Sequence, residues 1–287
     1  HVADIGRVTD SGSLEVFLKG KLEASIPVSL LVEGSPVYSP KWAVPAYITE
    51  NAGWDDSSVA VPEKDALGSI LLKLLASPNI ASKEPVYRQY DYMVRTDTVE
   101  GPGRGAALVR VKGTKRALSL ATDCNGRLVY LNPKAGTMWA VAESARNVAC
   151  TGARPMAITN CLNFGNPERP EIYWQFREAI AGMSAACTAL ETPVTGGNVS
   201  FYNETEGESV YPTPVVGMLG VLDDLENRIT PGFKDAGDVV AILGYPFPGP
   251  NILTGCAVRL KGLQGNPTSL WRKGYWTFWL RLRAKDC

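Results

Sequence analysis

The sequence predicts a mixed α/β fold, with helices packed on mixed sheets, and two observations support this prediction. Between residues 105 and 222, apolar stretches typical of strands are interleaved with helical patterns, in the order strand, strand, helix, strand, helix, strand. The composition is that of an ordinary globular protein, since 45% of the 287 residues are hydrophobic and 20% are charged. A chain of this length has room for about two domains.

The first ninety residues predict short strands, a loop and one helix. Residues 4–31 hold three apolar stretches, DIGRVTD, SLEVFL and EASIPVSLL, which we interpret as strands separated by turn residues. Residues 32–63 are rich in Pro, Ser and Gly and have little period, which indicates a loop or linker. Residues 62–79 predict a helix that Pro78 closes, with one apolar face made of Leu67, Ile70, Leu71, Leu74 and Leu75.

A second unit begins near Tyr90 with a pair of strands and a helix. The strands are predicted at residues 105–111 and 117–123. The helix is predicted at residues 138–150, and its face is mostly alanine, which would let it lie close to a sheet.

The rest of this unit predicts another strand, a long helix and further strands. Asn166 and Pro167 are expected to open a helix of about 22 residues, and its core-facing stripe is Ile172, Phe176, Ile180, Met183 and Cys187. We interpret the polar stretch 192–205, TPVTGGNVSFYNET, as a loop, because it has no helical period and is too polar for a core strand. Residues 213–222 and 235–245 predict strands.

Charge and residue counts exclude several classes of function. The 29 basic and 29 acidic residues cancel, so nucleic acid is not an expected partner. No apolar run reaches the roughly 18 residues of a membrane span. Six cysteines without a CxxC pair indicate reduced thiols in a cytoplasmic protein. The only histidine is His1, so a Cys–His catalytic pair is not expected, and a bound metal would need oxygen ligands.

Four segments concentrate polar residues at the ends of predicted strands: residues 91–105, 121–126, 158–168 and 196–204. Ligands collect at such ends in α/β units, and carboxylates and amides suit Mg²⁺ and nucleotides. Taken singly, residues 123–126 are also compatible with a hairpin turn and residues 163–166 with a helix cap. GPGRG at 101–105 is not a dinucleotide fingerprint, and no Walker A motif is present.

Three stretches closely resemble one family. They are YRQYDYMVRTDTVEGPGRGAALVRV at 87–111, the segment from LATDCNGR to IYWQF at 120–176, and TPVTGGNVSFYNET followed by YPTPVVGMLG. They are similar to the PurL family, the synthetase subunits of phosphoribosylformylglycinamidine synthase. The resemblance runs from about residue 1 to 245, and beyond it only KGLQGNP at 261–267 resembles the family.

The resemblance implies a domain order for an internal fragment of such a subunit. Residues 1–35 would be the end of a PurM C-terminal-like domain, and residues 36–85 a linker with one helix. Residues 86–230 would be a PurM N-terminal-like ATP-binding domain. Residues 231–287 would start a second PurM C-terminal-like domain, with an atypical tail that looks frame-shifted.

The resemblance also implies an activity and its residues. PurL-like enzymes convert formylglycinamide ribonucleotide (FGAR) to the amidine with ATP, Mg²⁺ and glutamine-derived ammonia, in a complex with a glutaminase subunit and a small bridging subunit. By motif, Asn160 and Gly197 match nucleotide contacts, Asn198 an Mg²⁺ ligand and Ser200 a substrate contact. Asp123 is a further ATP-site candidate on charge alone. The family's catalytic base is a histidine in its first half, so we assign no catalytic residue and expect the chain alone to be inactive.

Two other hypotheses fit the same sequence. The chain could belong to another ATP-using enzyme of the PurM superfamily, such as aminoimidazole ribonucleotide synthetase or selenophosphate synthetase, although the expected glycine-rich or Lys/Cys-bearing N-terminal segment is not visible. It could also be a non-catalytic module that holds a nucleotide for structural reasons.

Overall fold

The computed structural model describes residues 2–52 and 62–238, and the chain divides into two units, residues 1–40 and 41–287. The first unit contains a hairpin of two antiparallel strands, β1 (Ser13–Leu18) and β2 (Lys21–Pro27), and a short helix, α1 (Val28–Val32). The turn between the strands has positive φ at Lys19 and Gly20, which suits the twist of a two-residue hairpin. The strand predicted at DIGRVTD is wrong, since residues 2–9 form no strand. The third predicted strand, EASIPVSLL, stays in the sheet only as far as Pro27. Proline has no N–H to donate to a further hydrogen bond between the strands.

The second unit begins with three helices before its sheet: α2 (Ala46–Ala52), α3 (Leu67–Ala76) and α4 (Glu84–Tyr87). The helix predicted at 62–79 is confirmed as α3, which a short 3₁₀ turn precedes. The loop predicted at 32–63 is wrong in part, because α2 lies within it. Tyr47 of α2 stacks on Tyr130 with ring centroids 4.0 Å apart, so tertiary packing orders a segment that has little helical period of its own.

A six-stranded mixed sheet forms the body of this unit. Its spatial order is β3-β4-β5-β10-β6-β7, and all neighbours are antiparallel except the parallel pair β6–β7. The mixed α/β prediction is therefore confirmed. The strands, with the small hairpin β8–β9 outside the sheet, are β3 (Thr98–Glu100), β4 (Ala107–Arg110), β5 (Ala117–Asp123), β6 (Arg154–Asn163), β7 (Val194–Ser200), β8 (Glu204–Thr205), β9 (Glu208–Ser209) and β10 (Thr213–Leu222).

The described part of the second unit has three further helices, α5 (Gly126–Leu131), α6 (Pro133–Cys150) and α7 (Pro170–Leu190). Of these, α6 and α7 supply much of the core. Val141 and Val148 of α6 are fully buried in one cluster with Val216 of β10. The opposite face of the sheet is more open, and Leu120 of β5 is 42% exposed there. The alanine-rich face predicted for α6 is confirmed, but the helix starts at Pro133, after Asn132 caps its first turn.

Two further local predictions need correction. The long helix begins at Pro170 and not at Asn166, whose side chain accepts a hydrogen bond from the Glu168 N–H and closes a turn. The loop predicted at 192–205 contains β7, an edge strand that the parallel pairing with β6 holds in place. The predicted strand at 213–222 is confirmed as β10. Most of the strand predicted at 235–245, and all of the atypical tail after it, lie outside the described residues.

Candidate functional site

The parallel pair β6–β7 brings together four of the five site residues predicted from the sequence. Asn160 of β6 lies in register with Gly197 of β7, and the next positions pair Cys161 with Asn198 and Asn163 with Ser200. Neighbouring strands lie about 4.8 Å apart. The four residues therefore occupy one small region at the edge of the sheet.

Gly197 is where the two strands require a residue without a side chain. A Cβ at this position would collide with the main-chain oxygen of Asn160 and with its side-chain amide. The adjacent Gly196 has open space where its Cβ would lie. The glycine at 197 thus serves a close approach of two chain segments, whereas the glycine at 196 does not.

The selected side chains lie on both faces of this edge. The Asn160 amide donates a hydrogen bond to the Met183 sulfur of α7 at 3.4 Å, so it points towards the helices. Because side chains alternate along a strand, Asn198 and Ser200 project from the face opposite to the position of Gly197. β7 is the outermost strand of the sheet, so a ligand that lies along its edge can reach both faces.

A cavity of about 590 Å³ lies on the helix side of the edge, next to Asn160. Its volume is in the usual range for small-molecule sites. Ile180, Met183 and Cys187 of α7 form much of its apolar wall, and Val194 of β7 contributes to its lining.

Asp123, the fifth predicted site residue, lies on β5, in line with Asn160 and Gly197 across the strands of the sheet. Val216 of β10 pairs with Asp123 on one side and with Asn160 on the other. Asp123 is therefore three strands from Gly197, a distance of roughly 14 Å at the usual strand spacing. The Asn147 amide of α6 donates to both carboxylate oxygens of Asp123, at 3.0 and 3.2 Å.

Burial shapes the electrostatics around Asp123. It raises the pKa of the Asp123 carboxyl above its ordinary value, against the opposing effect of the hydrogen bonds from Asn147 and Ser144. Burial also raises the pKa of Glu143, and the charge of Asp123 adds to this effect. The pKa of the Cys124 thiol is raised to about 12 by burial and by the two acidic neighbours. The thiol therefore stays protonated and is no nucleophile at neutral pH.

The chain that leaves β7 is held by two residues that the sequence analysis did not select, Asn203 and Glu204. The Asn203 amide donates to the main-chain oxygens of Ser200 at 2.8 Å and Phe164 at 2.9 Å. Glu204 accepts hydrogen bonds from the Ser209 hydroxyl at 2.7 Å and the Asn166 N–H at 3.0 Å. Both residues stand in the stretch 192–205, but the partners of their hydrogen bonds lie up to 39 residues away. No local sequence pattern therefore indicates them. Asn147 was missed for the same reason, since it lies inside a helix.

Asn198 is exposed at this edge, and its side-chain amide oxygen is of the kind that a hard divalent cation accepts. Within residues 2–52 and 62–238, no group of three or more His, Cys, Asp or Glu side chains is placed to hold a metal ion. In the same part of the chain, no helix combines the length and the hydropathy that a membrane span requires. Cys124, Cys150, Cys161 and Cys187 are free thiols.

The chain is similar to a known domain family and, over more of its length, to the subunits of one enzyme. Residues 103–222 match the family model described as AIR synthase related protein, N-terminal domain. Two curated relatives are PurL subunits of phosphoribosylformylglycinamidine synthase. The one from Moorella thermoacetica is 56% identical over 244 residues, which are 85% of this chain and 33% of that protein. The one from Alkaliphilus metalliredigens is 52% identical over 245 residues, again 85% of this chain and 33% of that protein.

Solved structures of Thermotoga maritima proteins agree with these relatives. PurLQS has a TM-score of 0.58 at 31% identity, over 78% of this chain and 34% of that one. PurL complexed with ATP has a TM-score of 0.53 at 31% identity, over 74% and 32% of the two chains. PurL complexed with FGAR has a TM-score of 0.54 at 30% identity, over 77% and 32%.

The chain is therefore similar to PurL subunits over 85% of its length, and the resemblance found in its motifs is confirmed. It spans about a third of the length of the curated relatives it matches.

Proposed function

We propose that this chain forms part of the nucleotide and substrate site of an amidotransferase. That enzyme would convert FGAR, glutamine-derived ammonia and ATP to formylglycinamidine ribonucleotide in purine biosynthesis. The observation that carries the proposal is the contact of Asn160 with Gly197 at the sheet edge, in a chain 56% identical to a PurL subunit. The solved PurL complexes with ATP and with FGAR support both ligands.

The proposed roles follow from the chemistry of each group. We assign the main chain of Gly197, on the edge strand, to the contact with the phosphates of ATP, and the Asn160 amide contacts the nucleotide from the cavity side. The Ser200 hydroxyl positions FGAR. The difficulty of the reaction is that an amide oxygen is a poor leaving group. Phosphoryl transfer from ATP to that oxygen overcomes this difficulty, because ammonia can then displace the oxygen as phosphate. These residues act by placement, and none of them acts as an acid or base.

Magnesium fits one position of this edge. The amide oxygen of Asn198 is a hard ligand of the kind that Mg²⁺ accepts, and the residue is exposed on the outermost strand. When bound there with ATP, the ion would neutralise charge on the phosphates. The described residues hold no acidic cluster that could complete its coordination, so we expect the acidic ligands to come from other polypeptide.

We also infer the cellular context of the protein. Four free thiols suit a reducing, cytoplasmic compartment. Association with a glutaminase subunit and a small bridging subunit is proposed from the similarity to PurLQS. The four domain segments predicted from the resemblance remain proposals as well.

Calorimetry of the chain with MgADP tests the role assigned to Asn198. We expect Asn198→Ala to weaken binding about tenfold, a loss of about 1.4 kcal/mol, because one ligand of the metal–nucleotide pair is removed. Asn227→Ala is the matched control, since Asn227 is also an exposed asparagine of this unit. Equal heats for wild type and Asn198→Ala would remove Asn198 from the site.

A second function, a non-catalytic nucleotide-binding module, would use the Asp123–Asn147 pair as its site. These residues place a raised-pKa carboxyl on the helix side of the sheet, roughly 14 Å from Gly197. The same calorimetry separates the two functions. Loss of MgADP binding in Asp123→Asn, with binding retained in Asn198→Ala, would favour the module.

A further inference from the structure

The loop that follows β7 fixes the Ser200 hydroxyl in one orientation. Ser200 Oγ donates its hydrogen to Asn203 Oδ1 at 3.2 Å. The Asn203 amide in turn donates to the main-chain oxygens of Ser200 and Phe164, and the Asn203 N–H also donates to Phe164 at 3.2 Å. One side chain therefore satisfies the serine hydroxyl and ties the end of β7 to the end of β6.

A second set of bonds holds this loop from the other side. Glu204 Oε1 accepts from the Asn166 N–H and the Ser209 hydroxyl, and Arg169 approaches the same oxygen at 3.5 Å. The carboxylate, whose side chain is about a quarter exposed, thus joins the chain after β6 to the β8–β9 hairpin. A Cβ at Gly165 would collide with Ser209, so glycine is needed for the hairpin to come this close.

The backbone between Ser200 and Glu204 is strained in a way that these contacts sustain. Tyr202 has φ of +59°, an unfavourable value for a large side chain. Its N–H donates to the Gly165 oxygen at 3.1 Å, and its hydroxyl donates to Glu168 at 3.3 Å. A strained turn held by converging hydrogen bonds is typical of a segment whose exact placement matters for function.

We propose that Asn203 and Glu204 are positioning residues for Ser200, and that Ser200 contacts the substrate as a hydrogen-bond acceptor. Asn203 uses the hydroxyl hydrogen, so the lone pairs of Oγ remain for an N–H or O–H group of the ligand. In a ribonucleotide that carries an amide, such groups are the ribose hydroxyls and the amide N–H. Glu204 keeps the strained turn closed so that this acceptor keeps its direction. The inference rests on the proposed function, because it takes Ser200 as a substrate contact.

The test is steady-state kinetics of this chain combined with the remaining polypeptide of a PurL relative, with FGAR, ammonia and MgATP. For Asn203→Ala and Glu204→Ala we expect the KM for FGAR to rise roughly tenfold, with kcat and the KM for ATP within about twofold of wild type. Glu204→Gln keeps an acceptor oxygen and should restore the KM to within about twofold. Glu208→Ala, on the same hairpin, is the matched control and should behave as wild type.

A double-mutant cycle separates positioning from a general structural role. If Asn203 acts through Ser200, Asn203→Ala adds nothing to the FGAR KM in a Ser200→Ala background. Additive effects in the cycle would overturn the inference. So would a raised KM in Ser200→Ala together with normal values in Asn203→Ala and Glu204→Ala, and in that case the proposed function would stand. A normal FGAR KM in Ser200→Ala would instead overturn the substrate role of Ser200 and the inference with it. Should Glu204→Ala not fold, the Asn203 cycle decides alone.

Discussion

Asn160 and Gly197 can lie side by side because residue 197 has no side chain. In Gly197→Ala, the new methyl group would meet the main-chain oxygen of Asn160, which cannot swing away as a flexible side chain can. We expect a loss of about 1–3 kcal/mol in the free energy of unfolding, as for overpacked sites, measured by urea denaturation. Gly196→Ala is the control and should change it by less than about 1 kcal/mol, because its methyl meets open space. Equal losses in both variants would contradict this account of the edge.

Asp123 makes stability depend on pH through its raised pKa. The folded chain keeps a proton on this carboxyl at a pH where the unfolded chain has lost it, so the unfolded state binds fewer protons. Its contribution to the free energy of unfolding therefore falls as the pH rises from about 4 through the folded pKa. Asp123→Asn keeps an acceptor for Asn147 and removes this fall.

Urea denaturation between pH 4 and 7 measures this effect. Because Asp123 is only half-buried, we expect Asp123→Asn to gain at most about 1 kcal/mol over wild type at pH 7 and less at pH 4. Asp65→Asn, at an exposed position, controls for the loss of one negative charge. Parallel curves for wild type and Asp123→Asn would show that the carboxyl is not penalised by burial.

At the scale of elements, the helix α2 is attached to α5 and α7 by a few specific contacts. Gln175 of α7 is 4% exposed, and its amide donates to the Tyr47 hydroxyl at 2.9 Å. Arg177, on the same helix, lies over the Trp42 ring at 4.6 Å, and the Ala43 N–H donates to the Pro170 oxygen. The stretch from Trp42 to the helix α2 is thus packed on helices of the second unit.

Tyr47→Phe tests this attachment. The ring stacking on Tyr130 is retained, but the buried Gln175 amide loses its partner, which costs about 1–3 kcal/mol. We expect a corresponding loss in the free energy of unfolding, measured by urea denaturation. Tyr173→Phe, on α7 itself, should change it by less than about 0.5 kcal/mol, because the structure shows no hydrogen bond of its hydroxyl to the described residues. A loss of similar size in both variants would mean that the Gln175 bond does not stabilise α2.

The elements that the sequence predicted correctly are those whose pattern is local. Strand β10 reads as a nearly continuous apolar run, and α7 carries a stripe with a spacing near four. Strand β7 was missed because all but one of its residues are exposed, so it has no alternation to detect. Its strand conformation depends on pairing with β6, which comes from a segment more than thirty residues earlier. The position of β10 between β5 and β6 is likewise set by tertiary packing.

The candidate site shows the same division. Asn160, Gly197, Asn198 and Ser200 were selected from motifs, and the structure places them on one pair of strands. Asn203 and Glu204 stand in the same stretch, but their importance appears only when the loop after β6 lies against them. The distance of Asp123 from this group could not be predicted either, because β10, which comes from a distant part of the chain, lies between β5 and the pair β6–β7.

At the scale of the whole molecule, the position of the site at an edge determines what the chain can do alone. β7 is the last strand of the sheet, and Asn198 lies exposed on it. The chain spans about a third of its curated relatives, and its only histidine is His1. The edge therefore offers placement for a nucleotide and a substrate, without an acidic cluster for the metal among the described residues.

We accordingly expect the isolated chain to give no FGAR-dependent release of ADP from MgATP with ammonia, measured by a coupled assay. Adding the remaining polypeptide of a PurL relative, expressed separately, should restore turnover, because it would supply the acidic ligands and the histidine that the resemblance implies. The Asn198→Ala chain should restore at most about a tenth of that rate, whereas Asn227→Ala should restore all of it. FGAR-dependent turnover by the chain alone would show that the site is complete within it, and the composite arrangement would then be wrong.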